Sequence, residues 1–90
     1  MELPAPETPL YSHTLPQIEM WLTEQGCQQD PQSLNSWRIE AQKWQAELVL
    51  EIEELVVCYL DTGEQGDDLY RSFRYSLSRQ DIQDAVFAGP

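Results

Sequence analysis

The stretch AELVLEIEELVVCYL, Ala46–Leu60, decides the fold of this chain. It combines strong apolar content with four glutamates and suits a helix or a strand at first sight. Ala46, Leu48, Leu50, Ile52, Val56, Cys58 and Leu60 occupy even positions, with Glu54 the polar exception. Glu47, Glu51 and Glu53 occupy odd positions beside Val49. A period of two over 46–53 is a strand pattern. The competing helix would align Glu47, Glu51 and Glu54 on one stripe. Valine and tyrosine crowd the second half, and both suit a pleated surface. KWQAE, just before it, offers no helix N-cap. The reading is therefore a strand: one long bent strand, or two broken by a bulge near Glu53-Glu54.

The two halves differ. In the first, one face is apolar and the other carries glutamate. In the second, continuous register sends Leu55, Val57 and Tyr59 away from the core face. A bulge at Glu53-Glu54 turns them inward and sends Val56, Cys58 and Leu60 out. Either way one end of the sheet is apolar on both faces and needs two covers. Helices supply one. The other is an N-terminal arm, a second copy of the chain or another protein, and an uncovered patch would be an interaction site.

Outward from this stretch, WRIEA alternates Trp37, Ile39 and Ala41 against Arg38 and Glu40, a half-buried strand. CQQDPQSLNS before it reads as a polar connection, with turn chemistry at Asp30-Pro31 and Asn35-Ser36. In LYRSFRYSL, Phe73, Tyr75 and Leu77 alternate with Ser72, Arg74 and Ser76. The expected hairpin joins 55–61 to 70–77 around the loop DTGEQGDD, with turns at Gly63 and Gly66.

Helices flank these strands. In TLPQIEMWLTEQG, Thr14 and Gln17 have capping-box spacing, Pro16 fits a first turn and Gly26 suits the exit. This predicts a helix over Leu15–Gln25 with Ile18, Trp21 and Leu22 inward and Leu15 a turn before. In LSRQDIQDAVFAG, Ser78 caps, Asp81 stands three residues on, and Leu77 and Ile82 fit a hydrophobic staple. Ile82, Ala85 and Val86 form its buried stripe, and Gly89 ends it. Pro4, Pro6 and Pro9 make residues 1–13 an extended arm. Leu3, Leu10 and Tyr11 let it lie along the domain. The expected fold is α+β, in the order α-β-β-β-α with the middle strand long or broken. Two helices pack on one face of a three- to four-stranded antiparallel sheet. The arm is 1–13 and the single domain 14–90.

Ninety residues support one small core. Sixteen acidic against five basic residues give a net charge of −11, which repels phosphate and disfavours nucleic acid and anionic membrane surfaces. It favours a basic protein partner. No window approaches the roughly 18 unbroken apolar residues of a membrane span. MELPAPETPLYSH lacks the basic and apolar regions of a secretory signal and the Arg-rich look of a transit peptide. A cytoplasmic protein is the resulting expectation. Cys27 and Cys58 cannot build a disulfide scaffold, and Cys58, in an apolar run, reads as a buried thiol.

Reactive constellations are scarce. DTGEQGDDLYRS overlays a calcium loop poorly: Gly63 and Gln65 fall at oxygen-ligand positions, and Ser72 replaces the bidentate glutamate. His13 is the lone histidine, no zinc spacing occurs, and no glycine-rich phosphate loop is present. No catalytic, cofactor-binding or metal residue is assigned. The helix-strands-helix order is shared with double-stranded RNA-binding domains, but the last helix opens SRQD without their basic residues. Arg71, Arg74 and Arg79 fall close together. The outer-face arginines Arg38 and Arg74 read as cross-strand partners of Glu40, Glu47, Glu51 or Glu53 rather than an anion site.

Through RSFRYSLSRQDIQDAVFAGP, and WQAELVLEIEEL before it, the chain resembles a small family of cyanobacteria and plastids described only as a domain of unknown function. The resemblance runs from TPLY to the C-terminus, and YSLSRQDI, Tyr75–Ile82, is its most specific part. It implies a photosynthetic source and a cytoplasmic or stromal location, and supplies no activity. The functional expectation is a non-catalytic protein-interaction module. Leu55, Val57 and Tyr59 are its apolar candidates, Glu47, Glu51, Glu53, Arg71 and Arg74 its charged ones, and a homodimer is one form of partner. The resemblance directs attention to photosynthetic or ribosomal assemblies. Competing classes are a small ligand-binding protein or enzyme, and an acidic nucleic-acid mimic that occupies a basic protein.

Overall fold

Ala46–Leu60 is two strands, as one of the two readings has it, but a turn rather than a bulge separates them. It folds back on itself as two strands, β3 (Gln45–Leu50) and β4 (Glu54–Tyr59), joined by a tight turn at Ile52-Glu53. The Glu51 N–H donates to the Glu54 carbonyl at 3.0 Å, and the Tyr75 hydroxyl donates to the Glu51 carbonyl from outside the turn. Leu50 then stands opposite Leu55, Leu48 opposite Val57 and Ala46 opposite Tyr59. Opposed residues share a face, so the even positions of β3 and the odd positions of β4 form one apolar surface.

The computed structural model describes residues 3–61 and 66–90. Five strands form an antiparallel sheet in sequence order, with β1 (Gln28–Asp30), β2 (Ser33–Glu40) and β5 (Leu69–Arg74) completing it. Helix α1 (Leu15–Glu24) precedes the sheet and α2 (Arg79–Val86) follows it. The α+β class holds, and the strand count is corrected upward. The Cys27–Ser36 connection contains β1 and the first half of β2. No apolar alternation marks β1, because polar contacts hold it. The Asp30 side chain accepts from the Gln32 N–H at 2.9 Å to shape the turn, and the Gln29 amide donates to Glu19 of α1 and to the Leu34 carbonyl. The register shifts between Gln29 and Asp30, a bulge at the sheet edge. Gly63 and the rest of 62–65, part of the expected loop, lie outside the described residues.

Both helix starts form as their caps dictate. Thr14 and Gln17 exchange bonds, Thr14 N–H to Gln17 Oε1 at 2.8 Å and Gln17 N–H to Thr14 Oγ1 at 3.3 Å. Ser78 Oγ accepts from the Asp81 N–H at 3.0 Å. Gly26 leaves α1 at φ +96°, a left-handed conformation glycine adopts without strain. Trp21 and Leu22 are fully buried and Ile18 is half-buried, while Leu15 is exposed.

One core lies on one face of the sheet. Trp37, Ile39, Ala46, Leu48, Leu55, Val57 and Tyr59 meet Trp21 and Leu22 of α1, Ile82 and Val86 of α2, and Leu10 of the arm. Burying a leucine or valine side chain fully contributes about 1.5–3 kcal/mol, so the β3–β4 register carries a large share of the stability. Polar ties order the layers. Trp21 Nε1 donates to Gln83 Oε1 at 3.0 Å, and the Tyr59 hydroxyl donates to the Val86 carbonyl at 2.7 Å. The arm runs along the junction of β5 and α2, as Leu10 foreshadows. Its backbone joins Leu10 N–H to Leu77 C=O and accepts from Arg79 N–H at Thr8 C=O. The buried Arg79 guanidinium donates to Pro4 C=O at 2.9 Å.

Candidate functional site: the uncovered face of the sheet

The helices and arm pack into the core on one side of the sheet, and the pleat sends the alternate residues to the other. Register places them in rows. Ser36, Val49, Val56 and Ser72 align across β2 to β5; Arg38, Glu47, Cys58 and Tyr70 form the next row. Gln45 and Glu40 lie beyond, near Leu60, and Glu54 stands opposite Arg74 at the other end. Val49, Val56, Cys58 and Leu60 are half-buried, and Tyr70 is 68% exposed. The face is thus a short apolar ridge rimmed by Glu40, Glu47 and Glu54, with Arg38 and Arg74 interspersed.

The candidate residues therefore divide. Leu55, Val57 and Tyr59 are fully buried in the core and are no docking surface; helices and arm cover them. The turn at Ile52-Glu53, rather than a bulge, sets that direction. Glu47 sits on the open face. Glu51 and Glu53 flank the turn, where Ile52 is 95% exposed between them. A shallow cleft of about 830 Å³ beside the turn is bordered by Ile52, Glu54, Val56, Arg74 and Tyr75. Arg74 belongs to the open face. Arg71 is on the opposite face, its guanidinium carbon 5.7 Å from the Tyr59 ring centroid. Arg79 is buried under the arm, so the three neighbouring arginines diverge and form no common anion site. In the strand register Arg38 stands opposite Glu47, one of its expected partners, whereas Arg74 stands opposite Glu54, which is not among them. Arg38 Nη2 also donates to Gln45 Oε1 at 3.1 Å.

Cys58 is half-buried on this face, and the well-buried thiol is Cys27. Burial pushes the Cys27 thiol up to about 12. Burial also raises Cys58; the Tyr70 hydroxyl bond lowers it, and the Asp68 and Glu47 carboxylates raise it further. Tyr70 is raised in turn, chiefly by its bond to Cys58. A cysteine nucleophile needs an electropositive setting that favours the thiolate; Cys58 has the reverse. His13 is buried in the arm, its Nδ1 3.1 Å from the Pro9 carbonyl oxygen. Among the described residues no three His, Cys, Asp or Glu side chains converge to hold a metal ion. No helix is long and apolar enough among them to cross a membrane.

Two helices closing one face of a five-stranded meander, with the other face open among the described residues, define a small α+β domain. Residues 25–89 match the family described as "Protein of unknown function (DUF3143)", and the chain belongs to that family. The match spans all five strands and α2 and begins where α1 ends, later than the resemblance from TPLY. Its description assigns no activity, partner or site residue. No curated protein and no solved structure matches the chain significantly.

The bulged reading sends Val56, Cys58 and Leu60 outward, but the apolar candidates Leu55, Val57 and Tyr59 follow the continuous one. Val49, Val56, Cys58 and Leu60 were legible as apolar, but their face depended on the turn. The sequence at that turn, Glu51-Ile52-Glu53-Glu54, has none of the glycine or asparagine that marks a two-residue hairpin.

Proposed function

We propose that this domain is a non-catalytic protein-interaction module that docks a basic partner on the open face of its sheet. The observation that carries this reading is the ridge of Val49, Val56, Cys58, Leu60 and Tyr70, uncovered by any described residue layer and rimmed by carboxylates. The net charge of −11 supports a basic partner, since complementary fields speed encounter and reject acidic competitors. The resemblance to a cyanobacterial and plastid family makes a photosynthetic or ribosomal assembly the first place to look, with this chain as an accessory factor. A nucleic-acid mimic calls for evenly spaced carboxylates on one face, and here Arg38 and Arg74 interrupt them. A ligand binder calls for concave apolar walls with convergent polar groups, and the cleft beside Ile52 is open and acidic.

The test is affinity capture from the source cell with wild type, Val56→Lys, Glu47→Lys and the helix-side control Glu24→Lys. Both face variants should lose the partner by at least about tenfold, and the control should retain it. Equal capture by all four folded proteins refutes the docking face. A captured partner with an acidic contact surface refutes the charge argument.

A further inference from the structure

Strand β5 is an open edge, and its residue order is self-complementary. The ladder phase identifies which of its backbone groups are free. At the two ends of the β3–β4 hairpin, Glu51 N–H donates to Glu54 C=O and Leu60 N–H donates to Gln45 C=O. Antiparallel ladders alternate strictly, so the even residues of β4 direct their backbone groups at β3. Leu55, Val57 and Tyr59 direct theirs at Phe73, Arg71 and Leu69 of β5. Tyr70, Ser72 and Arg74 therefore point N–H and C=O groups outward. No strand lies beyond them among the described residues. The arm reaches only as far as Tyr75, whose carbonyl accepts the Tyr11 N–H, and the Arg74 carbonyl also accepts the Leu77 N–H.

We infer that β5 pairs antiparallel with β5 of a second copy, centred on Ser72. The stretch DDLYRSFR, Asp67–Arg74, is negative at its start and positive toward its end. Antiparallel self-pairing brings the acidic start of one copy to the basic end of the other. With Ser72 opposite Ser72, each Tyr70 faces the Arg74 of the other copy, an arrangement for cation–π contact. Each Asp68 lies diagonal to that same Arg74 on the open face. Arg71 faces Phe73 on the helix side. Of the two adjacent in-phase registers, the one centred on Arg71 sets Arg71 against Arg71 of the other copy while bringing Arg74 opposite Asp68, and the one centred on Phe73 carries Arg74 past Tyr70 to Ser72. The pairing needs no partner on the open face, though it would join two such faces into one surface.

The test uses the full chain in a concentration series by sedimentation velocity, with wild type beside Ser72→Pro. Proline at this position removes an outward N–H and no bond to β4, so an edge strand accommodates it. Wild type should rise from 10.4 kDa toward twice that mass with concentration. Ser72→Pro should weaken association by at least about tenfold while circular dichroism stays unchanged. Amide exchange on wild type gives a readout independent of that variant. The Ser72 amide should slow as concentration rises, while the Arg71 and Phe73 amides stay slow throughout. A wild type monomeric to about 1 mM, a dimer indifferent to Ser72→Pro, or a Ser72 amide indifferent to concentration overturns the proposal.

Discussion

Val56 and Val57 are sequence neighbours with opposite fates, and aspartate at each separates the observed facing of β4 from that of one continuous strand. Val57 is fully buried between Leu48 and Arg71 in the sheet and under the helices. Val57→Asp removes burial worth about 1.5–3 kcal/mol and adds a carboxylate whose desolvation costs several kcal/mol more. The sum, about 5 kcal/mol or above, meets the lower end of the total stability of a domain this size, at roughly 0.05–0.15 kcal/mol per residue. Val56 is half-buried on the open face, opposite Val49 and Ser72. There Val56→Asp keeps its charge in water and costs about 1 kcal/mol. Urea titration followed by tryptophan fluorescence reads both, because Trp21 and Trp37 are buried in the same core. A pH series adds a second signature. Burial raises the folded-state pKa of the introduced carboxyl in Val57→Asp above its unfolded value of about 3.9. The penalty therefore grows as pH rises from the unfolded to the folded pKa, and Val57→Asp approaches wild type as pH falls toward about 4. Equal losses at the two positions, or the larger loss at Val56, would refute the register.

Three further outcomes follow from single contacts. Tyr59→Phe deletes the hydroxyl bond to Val86 C=O, which retains a bond from Gly89 N–H at 3.3 Å; the loss should be about 1 kcal/mol and lower the melting temperature by about 4–8 °C. Thr14→Ala removes the α1 capping box and should cost about 1 kcal/mol in the same assay, with Thr14→Ser close to neutral. In thiol labelling at pH 8, Cys58 should react first and slowly, while Cys27, buried and pushed up to about 12, should react only on unfolding; rapid labelling that survives Cys58→Ser would contradict this.

The sequence carried the helices better than the sheet. Both N-caps were legible because a cap is a local device: Thr14 with Gln17, and Ser78 with Asp81, each satisfy backbone donors within one turn. In residues 1–13 Leu10 is fully buried as its context implies, but Leu10–Ser12 close a 3-10 turn in place of extended chain and Tyr11 is exposed. Strand β1 was invisible because its stability comes from Gln29 reaching Glu19 and Leu34, contacts between segments that no local pattern encodes. The approach of the C-terminus was hidden for the same reason. Gly89 sits at φ +95°, where a Cβ would come within 2.8 Å of Trp44 Nε1, a ring that also packs edge-on to Tyr59 at 5.5 Å.

The face of β4 turned on a single parity. Buried residues fall on even positions at Ala46 and Leu48 and on odd positions from Leu55 to Tyr59, and that inversion has two physical causes available. A bulge shifts the phase by one residue while the strand continues; a turn reverses the chain and opposes residues of unlike parity. Both bury Leu55, Val57 and Tyr59. They differ in what pairs with what: only the turn stacks Leu48 on Val57 and Ala46 on Tyr59 and brings Val49 beside Val56 on the far side. The long apolar run therefore does not need two covers for its strongest residues. It needs one cover, which the helices supply, and it leaves a weaker remainder of Val49, Val56, Cys58 and Leu60 in water contact. A remainder of that size is tolerable on a monomer surface. What gives it direction is its setting, since Glu47, Glu54 and Glu40 border it on a chain already short of positive charge. A partner that buries this ridge must desolvate those carboxylates or neutralise them, and neutralising them requires lysine or arginine at matching positions.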